Sequence, residues 1–209
     1  MRRLSLSPFV VVFAVAALAC GGGERATRTA DAGGANPCSA NPCEDNPCAG
    51  NPCAGNAGAR PDRPDWFTVD DVARTATIDI AAGATDANNF WNFNGHSDGS
   101  ATIVVPEGYT VTLNFENDDP LTGHSIGVDA TRGEFPTVFD EPSPVFEGAI
   151  SPNPTQVTTA APHGQSVTPT FVADVAGEYS LVCYIPGHAV TGMWIKFTVS
   201  SDGSAGVRT

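Results

Sequence analysis

Basic residues are scarce in this chain of 209 residues: 10 Lys and Arg stand against 23 Asp and Glu, a formal charge of −13. A nucleic-acid binder needs a basic footprint over the phosphates, so that class is excluded. The acidity favours solubility and a basic or neutral partner, and carries no information about fold. Methionine is rarer still, with only Met1 and Met193. The apolar run at residues 9–19 falls short of the ~20 residues that a bilayer crossing needs. From residue 66 onward there is no helical repeat, and a single cysteine, Cys183, leaves that part without an internal disulfide. Some 135 residues are nevertheless enough to bury a core without such staples.

The first residues read as an address: Arg2-Arg3, the apolar run, then Ala17-Leu18-Ala19-Cys20. A short apolar stretch ending in small residues predicts an export signal over residues 1–19. Small residues before a cysteine resemble a bacterial lipoprotein signal, which would make Cys20 a lipidated N-terminus and the membrane anchor. An ordinary secretory signal with a chance cysteine is the alternative. Both place the protein outside the cytoplasm, in the cell envelope facing the periplasm or exterior.

Residues 20–65 are rich in Gly, Ala, Asn and Pro. They carry Asn-Pro-Cys four times at a five-residue period, ending in Cys38, Cys43, Cys48 and Cys53. Asn-Pro favours turns, and the segment lacks the apolar residues that would offset ordering entropy, so a disordered linker is expected. Its thiols read either as disulfides that stiffen the linker or as a soft-metal site; the paired Cys-x-x-Cys geometry of a zinc knuckle is missing.

Residues 66–200 change character to short β-rich runs between turn residues: 75–80, 90–93, 102–105, 109–115, 125–128, 166–172, 179–183 and 194–199. Such a series predicts an all-β sandwich or barrel, followed by a flexible tail at 201–209. Val111, Leu113 and Phe115 alternate with Thr110, Thr112 and Asn114, which gives one face to the core. The proline-rich stretch 130–164 is expected to run over the surface, and loops of that length are often functional or mobile.

Chemistry concentrates on one loop, Cys183-Tyr184-Ile185-Pro186-Gly187-His188-Ala189-Val190-Thr191-Gly192-Met193, with cysteine, histidine and methionine at intervals of five. Thiolate, imidazole and thioether together select copper over zinc, magnesium or calcium. Strand phase puts Cys183 with Leu181, Met193 with Ile195 and Phe197, and His124 with Ile126 and Val128, all toward an apolar face. His124 is thus the candidate fourth ligand. His96 and His163 sit in turn-like settings and are expected to be exposed and inert, and Trp91 and Trp194 to be packing residues.

These residues resemble the cupredoxins, small blue copper electron carriers, and within them the sulfocyanin type with a rusticyanin-like ligand loop. The resemblance rests on Trp91-Asn92-Phe93-Asn94-Gly95, Val105-Pro106-Glu107-Gly108-Tyr109, His124-Ser125, and above all the Cys183 to Met193 loop with Trp194. It implies a Greek-key β-sandwich holding one type 1 copper, with His124, Cys183 and His188 equatorial and Met193 axial. Ser125 stands where many relatives have asparagine, which bears on the hydrogen bond to the thiolate.

Val182 and Tyr184 flank the cysteine where multicopper oxidases and copper nitrite reductases carry histidine, and the loop lacks the second cysteine of a binuclear copper site. Four ligands leave no position for substrate, so the expectation is an electron carrier and not an enzyme. Its partners would be redox proteins such as cytochromes or a terminal oxidase, and the carrier itself a monomer. The alternative is a copper acquisition or delivery lipoprotein that uses the linker cysteines. By the same resemblance His188 lies nearest the surface, in an uncharged patch of Pro186, Gly187, Ala189 and Val190. Residues 66–200 around it hold three basic against sixteen acidic residues.

Overall fold

The computed structural model describes residues 61–209. The export signal, Cys20, and the cysteines of the repeat lie outside the described residues. The described part is all-β, with ten strands in two five-stranded sheets. The first sheet orders β1 (Phe67–Asp70), β2 (Thr75–Ala82), β4 (Tyr109–Asn117) and β6 (Ser166–Val167), with β7 (Thr170–Ala173) also paired to β4. The second orders β10 (Gly206–Arg208), β3 (Thr102–Pro106), β9 (Trp194–Ser200), β8 (Gly177–Val182) and β5 (Gly127–Asp129).

Period-2 alternation builds the sandwich. In β2, Ala76, Ile78, Ile80 and Ala82 are buried, and in the parallel neighbour β4 so are Val111, Leu113 and Phe115, with Ile78 opposite Leu113 and Ile80 opposite Phe115. β9 answers from the other sheet with Ile195, Phe197 and Val199, and is parallel to β3. These side chains share one core with Phe93, Phe146 and Phe171. Phe146 stacks on Phe171 with centroids 5.4 Å apart. Each such aliphatic or aromatic side chain contributes about 1.5–3 kcal/mol when fully buried.

Several expectations need correction. Residues 90–93 form no strand: a 3₁₀ turn, Ala87–Phe90, precedes isolated bridges from Phe93 to Ala82 and His96. Asn88, Asn89, Phe90 and Asn94 all have positive φ, which strands do not accept. The run 166–172 is two strands, split at Pro169, which has no N–H to give to a ladder. The run 125–128 begins pairing only at Gly127, because the N–H of Ser125 turns to the sulfur of Cys183.

The 201–209 tail is not flexible. β10 pairs with β3, and Ala205 and Val207 are buried. The N–H and C=O of Val207 also bond those of Asp62, at 2.7 and 2.8 Å, so the domain begins before residue 66. A three-residue edge strand is too short to show a period. The stretch 130–164 does more than cross the surface: Phe135, Phe146, Ala149, Ala160 and Ala161 are buried. Its Thr137 carbonyl accepts the Gly187 N–H at 2.7 Å, which docks it against the loop between β8 and β9.

Candidate metal centre

The candidate donors sit outside the strands, in the connections at one end of the sandwich, where the backbone has left the ladder and a side chain can turn inward. His124 follows the turn after β4, Cys183 follows β8 by one residue, His188 opens the 3₁₀ turn Ala189–Thr191, and Met193 precedes β9. The loop between Cys183 and Met193 is closed on itself: the Cys183 N–H reaches the Met193 carbonyl at 3.2 Å, and the Met193 N–H reaches that of His188 at 2.9 Å. Gly192 ends the 3₁₀ turn with φ 104°, a backbone conformation that favours glycine.

Non-local folding brings His124 to this loop. Its Nδ1 lies 3.1 Å from His188 Nδ1 and 3.8 Å from Cys183 Sγ, and His188 Nδ1 lies 3.6 Å from the same sulfur. His124, Cys183 and Met193 are fully buried, and His188 is 4% exposed. Among the described residues these three His and Cys side chains form the metal-capable cluster; His96 and His163 are not part of it. A point equidistant from the three donor atoms lies about 2 Å from each, an ordinary metal–ligand distance. Two imidazoles, one sulfur and a nearby thioether fit copper by softness and by trigonal geometry.

Burial sets the protonation of the donors in the metal-free protein. It pushes the Cys183 thiol up to about 11, against the opposing pull of the Ser125 N–H. It holds His188 down to about 4, helped by the neighbouring His124, and lowers His124 against the pull of Asp119. Both imidazoles are therefore neutral and free to donate a lone pair, whereas the thiol must lose its proton to bind.

The surroundings fix the donors. The Ser125 N–H points at Cys183 Sγ at 3.4 Å, so the bond to the thiolate survives without asparagine. Its Oγ accepts the Tyr184 N–H at 2.9 Å and lies 3.7 Å from the same sulfur. The Tyr184 hydroxyl in turn donates to Asp129, at 3.1 Å.

Two neighbours were invisible in the sequence. Buried Asp119 accepts from His124 Nε2 at 2.7 Å, and the Trp91 indole stacks on the His188 ring at 4.0 Å. Asp119 read only as part of a turn and Trp91 only as packing; no spacing rule links either to its histidine.

The family model described as Sulfocyanin (SoxE) domain matches residues 66–207. The chain belongs to the sulfocyanin family. Its curated relatives include the sulfocyanin of Sulfolobus acidocaldarius, 30% identical over 63% of this chain and 67% of that protein. The rusticyanin of Acidithiobacillus ferrooxidans is 32% identical over 57% of this chain, which spans about three fifths, 61%, of that protein. A solved rusticyanin from Thiobacillus ferrooxidans aligns with 65% of this chain and 87% of its own, at 23% identity and a TM-score of 0.41. This is a sulfocyanin-like blue copper protein, and its β-sandwich is the one the sequence resemblance implied.

The uncharged patch expected around His188 needs one correction. Pro186 and Val190 are exposed, but Ala189 is 2% exposed and faces inward with Tyr184 and Phe135.

Proposed function

We propose that this sulfocyanin-like chain is an extracytoplasmic single-electron carrier in which His124, Cys183, His188 and Met193 would hold one copper ion. The observation that carries the reading is the convergence of three buried donor atoms within 3.1–3.8 Å of one another. Bound copper there would supply a one-electron couple between Cu(I) and Cu(II).

The chain's own residues do the rest. Ser125 and the closed loop hold the sulfur, and Asp119 and Trp91 hold the two imidazoles, so little can move when an electron arrives. Full burial leaves no coordination position open to a substrate, which supports a carrier over an enzyme. Burial also suits retention of the metal over its surrender, which disfavours the delivery reading. The edge of His188, beside exposed Pro186 and Val190, is the point of electron entry and exit. Donor and acceptor are redox proteins such as cytochromes or a terminal oxidase. They are met at the envelope surface, where lipidation of Cys20 would tether a monomeric domain.

Copper(II) added to the purified protein should produce intense thiolate-to-copper absorption in the visible and a narrow copper hyperfine splitting in electron spin resonance. Cys183→Ser should abolish both. A colourless, weakly held adduct of the wild-type protein would refute the proposal.

A further inference from the structure

The carrier reading assigns ligands but leaves unexplained a carboxylate buried beneath one of them. Resting on that reading, we infer that Asp119 is a positioning residue of the copper site: it fixes His124 in the form that donates through Nδ1 and, by its charge, lowers the reduction potential.

Asp119 is fully buried, and both of its oxygens face donors. Oδ2 lies 2.7 Å from His124 Nε2, and Oδ1 accepts the Leu121 N–H at 2.7 Å. The Leu121 N–H donates to one oxygen, and a carboxylate at the other would accept from Nε2. With Nε2 bonded to Asp119, Nδ1 is the nitrogen left facing Cys183 and His188.

The carboxylate is itself held from below. Its own N–H donates to Asn117 Oδ1 at 2.9 Å, and Asn117 Nδ2 is anchored on the carbonyls of Thr122 and Ala161 at 2.8 and 2.7 Å. Gly83 closes over it: a Cβ at that position would lie 2.8 Å from Asp119 Cα and Cβ. Among the described residues no Lys or Arg forms an ion pair with it; the side chain within reach of its oxygens is the neutral imidazole of His124. The negative charge is therefore presented, undiluted by solvent, through one imidazole to the metal position.

His188 is treated differently, its ring face covered by Trp91 rather than tied to a carboxylate. The two histidines are thus electronically unequal. A carboxylate on the far nitrogen raises the basicity of the ligating one, and a charge in a dry site acts more strongly than in water. Both effects favour the more highly charged oxidised metal, and so a lower potential.

Asp119→Asn keeps the shape and one acceptor while removing the charge. Potentiometric titration of wild-type and variant proteins, followed at the visible band, should show at least a tenfold rise in preference for Cu(I), a shift of about 59 mV for one electron. Histidine-labelled, copper-free wild-type protein read by nitrogen NMR should show the His124 proton on Nε2, and copper-free Asp119→Ala a loss of that preference.

A blue variant whose preference for Cu(I) stays within twofold of wild type would overturn the charge effect. A wild-type His124 protonated on Nδ1 would overturn the positioning. Failure of the wild-type protein to form a blue site would instead sink the copper reading, and the tautomer of the metal-free protein would still decide whether Asp119 sets His124.

Discussion

Trp91 and His188 stack with ring centroids 4.0 Å apart and planes 19° from parallel, although 97 positions separate them in the chain. The indole covers one face of the imidazole that lies nearest the solvent. Trp91→Ala should expose that face and cost about 2 kcal/mol of stability in the copper-free protein, from lost stacking and burial. Urea unfolding of the two copper-free proteins measures it; unchanged midpoints would show that the stack contributes nothing to the fold.

Acid should weaken the metal-free fold over a defined window. His188 is held down to about 4 from a usual 6.5, so below 6.5 the unfolded chain binds a proton that the folded chain refuses. Stability is then independent of this group above about 6.5, falls as pH drops from 6.5 to 4, and levels off below. Urea midpoints at pH 7, 5.5 and 4 should decline in that order without copper. Bound copper occupies the nitrogen and keeps the folded chain from taking a proton there, so with copper the decline should continue below pH 4 instead of levelling off.

Loading should release one proton at neutral pH. Cys183 at about 11 is a thiol before binding, and both histidines are already neutral. Calorimetric titration with Cu(I) in two buffers of different ionisation enthalpy should give close to one proton per metal. Two or more protons would mean that a histidine is charged in the empty site.

Ser125→Ala separates the two hydrogen bonds that this residue makes. The backbone N–H to the sulfur remains, so the visible band should persist, but the buried Tyr184 N–H loses its acceptor. A buried donor left unsatisfied costs about 1–3 kcal/mol, readable as a lower unfolding midpoint. Disappearance of the band would show that the hydroxyl, and not the backbone, holds the thiolate.

Val190 is 48% exposed beside the buried His188. Val190→Asp puts a charge that must be desolvated into an uncharged docking spot and should slow electron exchange without bleaching the copper, and exchange of the wild type with a basic redox partner should weaken as salt rises. His96→Ala and His163→Ala should leave the visible spectrum intact. Equal exchange rates for wild type and Val190→Asp would move electron entry away from this edge.

The two-residue alternation of β2, β4 and β9 is written in the order of amino acids, because each strand's apolar face is set by its own side chains. So are the residue types that select copper, since three of the four candidate ligands share one loop and are spaced by chemistry a reader can recognise. Edge strands β1 and β10 were not legible, having too few residues to display a period. Nor was the inward packing of 130–164, where Phe135 and Phe146 are scattered among prolines without periodicity. Tertiary structure alone decided that Asp119 meets Nε2 of His124, that Trp91 meets His188, and that Ala189 turns in while Val190 turns out. Those contacts depend on how turns of irregular backbone close over one end of the sandwich, and no local propensity encodes the meeting of side chains that only the assembled sheets bring within reach.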